Sequence, residues 1–180
     1  MTDAERCPAC GTDRLQRTRV SKEVAAASIA VHGEGLTVRH CACDHVEVPA
    51  ELGRAARRAS AEALPAARVR WLRPDRCRSC ARPLTMPARR TTRAVTVTTE
   101  TLPIVTLRCD VPMTRCPGCG LDQLPSRARH DVAVALAALL QAAAQEVSGE
   151  DQVDVDDLGP LERFTHRLRR SRGRPRRPGR

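Results

Sequence analysis

Thr114-Arg115-Cys116-Pro117-Gly118-Cys119-Gly120 is the stretch that decides how this chain folds. Two cysteines separated by two residues can offer both thiolates to one tetrahedral metal ion. The glycine after the second cysteine admits the positive φ that turns backbone N–H groups toward the sulfurs. The same device recurs as Cys7-Pro8-Ala9-Cys10-Gly11 and Cys77-Arg78-Ser79-Cys80, and in irregular form as His40-Cys41-Ala42-Cys43. Four half-sites predict two complete sites, and so two Zn2+ ions per chain.

The composition agrees with metal-stapled units. Of 180 residues only Trp71 and Phe164 are aromatic, no tyrosine occurs, and much of the apolar fraction is alanine. Little large side-chain volume is therefore offered to a single core, and units of about 40 residues usually need a metal, a disulfide or a partner to hold them. The polar start of the chain predicts no secretory signal, and no run of eighteen apolar residues predicts a membrane span. The expectation is a cytoplasmic protein whose nine cysteines stay reduced and bind metal rather than pair as disulfides. The formal charge is +10, but residues 161–180 hold nine arginines and one glutamate and account for +8 of it. The rest of the chain is close to neutral.

Read in order, the chain repeats itself. After the first knuckle a β-branched stretch over residues 18–31 reaches His32-Gly33-Glu34-Gly35, and Leu36, Val38 and His40 then alternate with polar residues. This predicts a hairpin with its turn at the glycines, delivering the second half-site as in a zinc ribbon. A helix follows Val48-Pro49, with Leu52, Ala56, Ala59 and Ala63 on one face, and ends near Pro65. The second unit begins at Cys77, passes through a strand at residues 93–99 and an apolar stretch at 102–107, and reaches Cys116 and Cys119. Its helix, at about residues 131–147, carries Val132, Leu136, Leu139, Leu140 and Ala143 on one face. Pro49 and Pro125 each stand six residues beyond Cys43 and Cys119. Arg39 aligns with Arg115, His40 with Cys116, Glu47 with Gln123 and Val48 with Leu124. The reading is a tandem repeat: a small α+β chain with a zinc-ribbon hairpin plus helix at residues 1–70 and again at 71–148. Residues 149–180 read as an acidic linker and a disordered basic tail.

The second metal site is regular: Cys77, Cys80, Cys116 and Cys119, with 35 residues between the pairs. Cys109 is left over and reads as a half-buried thiol. The first site takes Cys7 and Cys10 from one side and leaves a choice on the other. Cys41 with Cys43 gives four thiolates, His40 with Cys43 restores the two-residue gap, and Cys41 with His45 is a third pairing. Cys41 and Cys43 are preferred, with His40 as the alternative to Cys41.

The pattern resembles the YgiT-type zinc finger, the N-terminal zinc domain of MqsA-like antitoxins, over residues 7–64 and again over 77–147. In that family a C-P-x-C-G knuckle is followed about thirty residues later by a second knuckle and a helix. The resemblance matches Cys7, Cys10, Cys43, Cys77, Cys80, Cys116 and Cys119 to ligands individually. The irregular half-site around His40 and the Ala81 that replaces a glycine depart from the pattern. The family's frequent helix-turn-helix segment is not found here.

Sites filled by four protein ligands leave no open position for a catalytic water, which argues against an enzyme. An isolated C-x-x-C outside a thioredoxin-like setting argues against redox catalysis. A rubredoxin-like iron centre is the alternative metal reading. Two roles remain: a regulatory or adaptor protein that docks a protein partner, as the resemblance implies, or association with DNA through the tail. There Arg172-Gly173-Arg174-Pro175, followed by Arg176 and Arg177, resembles the core of an AT-hook.

Overall fold

A computed structural model describes residues 6–12, 15–26, 28–68 and 74–148. The strands β1 (Gln16–Ala26), β2 (Ile29–His40), β4 (Arg89–Val97) and β5 (Val105–Arg115) form one antiparallel sheet in the order β1-β2-β5-β4. Two short strands, β3 (Val46–Glu47) and β6 (Asp122–Gln123), pair with the ends of β2 and β5. Period-two patterning drives both hairpins. Val95 and Val97 face inward from β4, as do Val105, Leu107, Cys109, Val111 and Met113 from β5.

The first hairpin does not turn where the glycines predict. The chain reverses between Ala26 and Ile29, which pair directly, and His32-Gly33-Glu34-Gly35 lies inside β2. Gly33 is flanked by Lys22 on one side and Leu107 on the other. A Cβ there would meet the Leu36 and Leu139 side chains at 2.9 and 3.0 Å, so the position suits a residue with no side chain where Leu36 of the same strand and Leu139 of α2 close over it. Gly35, at φ +76°, belongs to a bulge: between the pairs Val20–Leu36 and Lys22–Gly33, the single Ser21 of β1 stands against Glu34 and Gly35 of β2. Glycines that sequence reasoning assigns to a turn thus serve a close approach and an extra residue.

The helices are α1 (Ala50–Ala63) and α2 (Ala128–Ser148). Pro49 starts α1 with its fixed φ of −52°, and the Leu64 N–H closes its last turn on the Ser60 carbonyl. The buried face of α1 is Leu52, Gly53, Ala56 and Ser60, with Ala63 exposed, rotated by about an eighth of a turn from the face predicted. On α2, Val132, Leu136, Leu139 and Ala143 are buried as expected, joined by Ala128, Ala135 and Ala142, while Leu140 is only partly covered. Instead of pairing mainly with each other, α1 lies against β4 and α2 against β1 and β2. Each helix therefore covers the hairpin of the other half. Lys22 on β1 pairs with Glu146 on α2, and the α1 carboxylate of Glu51 accepts from Thr101 Oγ1 at 2.7 Å.

The expectation of two small, thinly filled modules gives way to one continuous core. It runs through Ile29, Val31, Leu36 and Val38 of the first hairpin, the inward faces of β4 and β5, and both helices. Backbone pairing of β2 with β5, from Ala30 opposite Asp110 to Glu34 opposite Thr106, carries the sheet across the halves. Aliphatic side chains fill it without any Phe, Trp or Tyr among the described residues. Among those residues α2 is the one helix long and apolar enough, by length and composition, to cross a membrane. Its apolar stripe is the face packed on the sheet.

Candidate metal centres

Three knuckles share one backbone design. The N–H of the first cysteine donates to the carbonyl five residues on: Cys7 to Thr12 at 2.8 Å, Cys77 to Arg82 at 2.8 Å and Cys116 to Leu121 at 2.9 Å. The N–H four residues on returns to the first cysteine's carbonyl, from Gly11, Ala81 and Gly120. That returning residue has positive φ in each case, +73°, +59° and +73°. The irregular fourth knuckle is the same turn with one residue removed. Cys41 N–H donates to His45 at 2.9 Å, Asp44 N–H returns to Cys41 at 3.0 Å, and Asp44 holds φ +62°. A C-x-C spacing therefore serves here because the turn closes one residue early.

These turns bring the thiols together in two groups. Cys7, Cys10, Cys41 and Cys43 form one and Cys77, Cys80, Cys116 and Cys119 the other, with all Sγ atoms of a group within 4.8 Å of one another. The closest pairs are Cys7 with Cys43 and Cys10 with Cys41 at 3.6 Å, and Cys77 with Cys119 and Cys80 with Cys116 at 3.5 Å. A tetrahedron with metal–sulfur bonds of about 2.3 Å has edges of about 3.8 Å, so both groups are close to the size one ion needs. All nine cysteines are free, and these separations are far beyond a disulfide bond of about 2.05 Å. In each pair the first cysteine is buried and the second exposed, which seats each centre at the rim of the protein.

His40 does not join the first group. It ends β2 and its Nε2 lies 3.1 Å from Thr18 Oγ1 on the neighbouring strand, because successive strand residues point to opposite faces. His45 turns to Glu47, with Nε2 at 3.4 Å from Oε2. Of the three pairings open from sequence, the structure brings Cys41 and Cys43 to Cys7 and Cys10. Cys109 is not half-buried near a strand end: it lies in mid-β5 with no exposure, and burial pushes its thiol up to about 11. The nucleic-acid candidates Arg172, Arg174, Arg176 and Arg177, and the linker and tail at 149–180, lie outside the described residues.

Four thiols this close cannot all ionise unaided. Hydrogen bonding from Thr12, side chain first and then backbone, draws Cys10 down to about 6, and the backbone N–H of Cys80 draws Cys77 down to about 6. On Cys43 the His45 N–H acts downward, but the thiols of Cys10, Cys41 and Cys7 together with burial outweigh it and push the group up to about 12. Cys119 follows the same pattern, drawn down by the Leu121 N–H yet pushed up to about 11 by its neighbours and burial. A divalent cation removes this conflict by compensating the thiolates it binds.

Several supporting residues carry no motif signal. Thr12 Oγ1 sits 3.2 Å from Cys10 Sγ and 3.5 Å from Cys41 Sγ, bridging the two halves of its centre. Gly118 N–H donates to Cys116 Sγ at 3.4 Å. Gln123, fully buried, accepts the Arg78 N–H at 2.9 Å and so fixes the second-centre knuckle against β6. Asp75 accepts from both the N–H and the hydroxyl of Ser126 at 2.7 Å, tying the approach to that knuckle to the start of α2. Arg39 reaches Glu47 at 3.6 Å and Glu51 at 3.5 Å, joining β3 to the first turn of α1. Apart from the local contacts of Thr12 with Cys10 and of Gly118 with Cys116, only the tertiary fold makes these pairs visible.

Ala81 holds a backbone conformation that costs a residue with a Cβ roughly 1–2 kcal/mol. Glycine removes that cost and returns about half of it through greater freedom of the unfolded chain. Ala81→Gly should therefore stabilise the metal-loaded protein by about 1 kcal/mol, read as a rise of about 2–4 °C in Tm. A lower Tm would mean that the Ala81 methyl makes a contact outweighing the strain. In comparisons with protein-family models, curated proteins and solved structures, none matches this chain.

Proposed function

We propose that this is a non-catalytic zinc protein of duplicated ribbon-plus-helix architecture, in which two structural four-cysteine centres hold a scaffold that docks a protein partner. The observation that carries the metal reading is the pair of thiol groups, each offering four sulfurs near tetrahedral spacing. Four thiolates complete the coordination of a structural zinc and leave no position for a catalytic water.

The duplication is supported by residues 76 apart. Asp44 and Gly120 share positive φ, β3 and β6 coincide, and Leu52, Ala56 and Ser60 on α1 match the buried Ala128, Val132 and Leu136 on α2. His32 and Arg108, also 76 apart, pair directly where β2 meets β5, as residues on a local two-fold axis do. This spacing fits the resemblance to YgiT-type fingers, read as two copies.

Native mass spectrometry of the reduced full chain should count two zinc ions. Cys41→Ser should drop the count to one, whereas His40→Ala should leave it at two. A count of two in Cys41→Ser would remove Cys41 from the ligand set, and visible absorbance from the purified protein would replace zinc by iron.

A further inference from the structure

Between the second half of α1 and the first half of α2 lies an open groove of about 1080 Å³. Its wall is completed by the segment after α1 and by the knuckle of the second centre. The floor is aliphatic, built on Leu124, Val132 and Leu136. Around it stand Arg57 and Arg58 from α1, Arg68 from the following segment, Arg78 from the knuckle and Arg129 from α2, against a single acidic residue, Glu62. All five arginines are exposed, and none of them is in an ion pair with another described residue. Ser60, only 2% exposed, also lines the groove, and its hydroxyl has no hydrogen-bond partner among the described residues.

Uncompensated positive charge around an apolar floor specifies a ligand with both properties. An amphipathic helix fits: apolar residues at i, i+3 or i+4, and i+7 enter the groove, and flanking carboxylates meet guanidiniums drawn from four separate segments. A duplex nucleic acid would match the charge but not the floor, and no Phe, Trp or Tyr is present among the described residues to stack on a splayed base. We propose that this groove docks an acidic amphipathic helix of a partner protein, an inference that rests on the reading of the chain as a non-catalytic docking scaffold.

The test is selection of a random peptide-display library on the full-length, metal-loaded protein, with counter-selection on an Arg57→Glu/Arg129→Glu variant. Both substituted side chains are exposed, so the variant should keep its fold. Enriched peptides should combine carboxylates with apolar residues at helical spacing. Their affinity, measured by fluorescence anisotropy, should fall at least tenfold in the double variant and in Ala133→Glu, and should weaken with salt. Arg89→Glu on β4, outside the groove's lining, should leave affinity unchanged. The proposal is overturned if no peptide is enriched over the double variant, if enriched peptides lack acidic residues, or if they bind the double variant equally. Duplex DNA binding that is lost in the same variant would also overturn it, in favour of a nucleic acid. Counting metal ions in the same samples separates the two readings. Two ions without peptide binding would sink only the groove, and peptide binding with no ions would sink only the metal centres.

Discussion

Stripping the metal from the reduced protein should abolish its cooperative thermal transition, and returning zinc should restore it. The expectation follows from what each centre joins. In the first, Cys7 and Cys10 precede β1 while Cys41 and Cys43 follow β2, so one ion would close the whole first hairpin; an ion at the second centre would do the same for β4 and β5. Apart from the thiols, each knuckle is held by two backbone hydrogen bonds across its own turn, to which the Cys77–Cys80 knuckle adds bonds from the Arg78 N–H to Gln123 and from Arg76 to the Ala81 carbonyl. Apparent binding energies of about 10–16 kcal/mol for a structural zinc are as large as the roughly 5–15 kcal/mol by which an ordinary domain is stable. Loss of both ions also leaves the clustered thiols at the ends of the two central strands unable to ionise together. Circular dichroism melts with and without a strong chelator, under reducing conditions, are the measurement. A metal-free protein that still melts cooperatively within about 10 °C of the loaded one would show that the aliphatic core suffices and that the centres stabilise only the rim.

The chemistry was more legible in the sequence than the packing. Cysteine spacing is local, and a C-x-x-C turn forms from its own backbone, so Cys7, Cys10, Cys77, Cys80, Cys116 and Cys119 could be grouped from their positions alone. The shortened knuckle at Cys41-Ala42-Cys43 could not be settled that way. Its choice over His40 depends on where β2 ends and on His40 turning to Thr18 of the neighbouring strand while Cys41 and Cys43 fall in the turn beyond it. The glycines at 33 and 35 misled for the same kind of reason. A glycine pair reads locally as a turn, whereas the space a Cβ at Gly33 would need is taken by Leu36 of its own strand together with Leu139 of α2, over a hundred residues away. Sparse aromatics suggested two thin modules because composition counts volume per segment. It does not reveal that two half-cores can be joined through the β2–β5 pairing. The rotation between predicted and buried faces of α1 has a related origin, since alanines on several sides of a helix leave the choice of face to what it packs against.

Cutting the chain between its two halves, within residues 69–73, should leave neither piece able to fold as a monomer. Helix α1 belongs by sequence to the first half but lies on β4 of the second, and α2 belongs to the second half but lies on β1 and β2 of the first. An isolated 1–70 fragment would keep its four thiols, yet lose the cover over Ile29, Val31, Leu36 and Val38 and the strand partner of β2. Those four side chains alone would expose enough apolar surface to cost about 1.5–3 kcal/mol each, beyond what one short hairpin and a lone helix can offset. Equimolar 1–70 and 71–148 mixed with zinc should instead recover the far-ultraviolet spectrum of the intact protein and two ions per pair. The proposed duplication adds a specific side reaction: the 1–70 fragment, supplied with zinc, would complete its core only against a second copy of itself, and should run as a dimer in light scattering wherever it is folded. A zinc-loaded 1–70 fragment that is both monomeric and cooperatively folded would mean that each half carries its own core, and that the exchanged helices add contact without being required for folding.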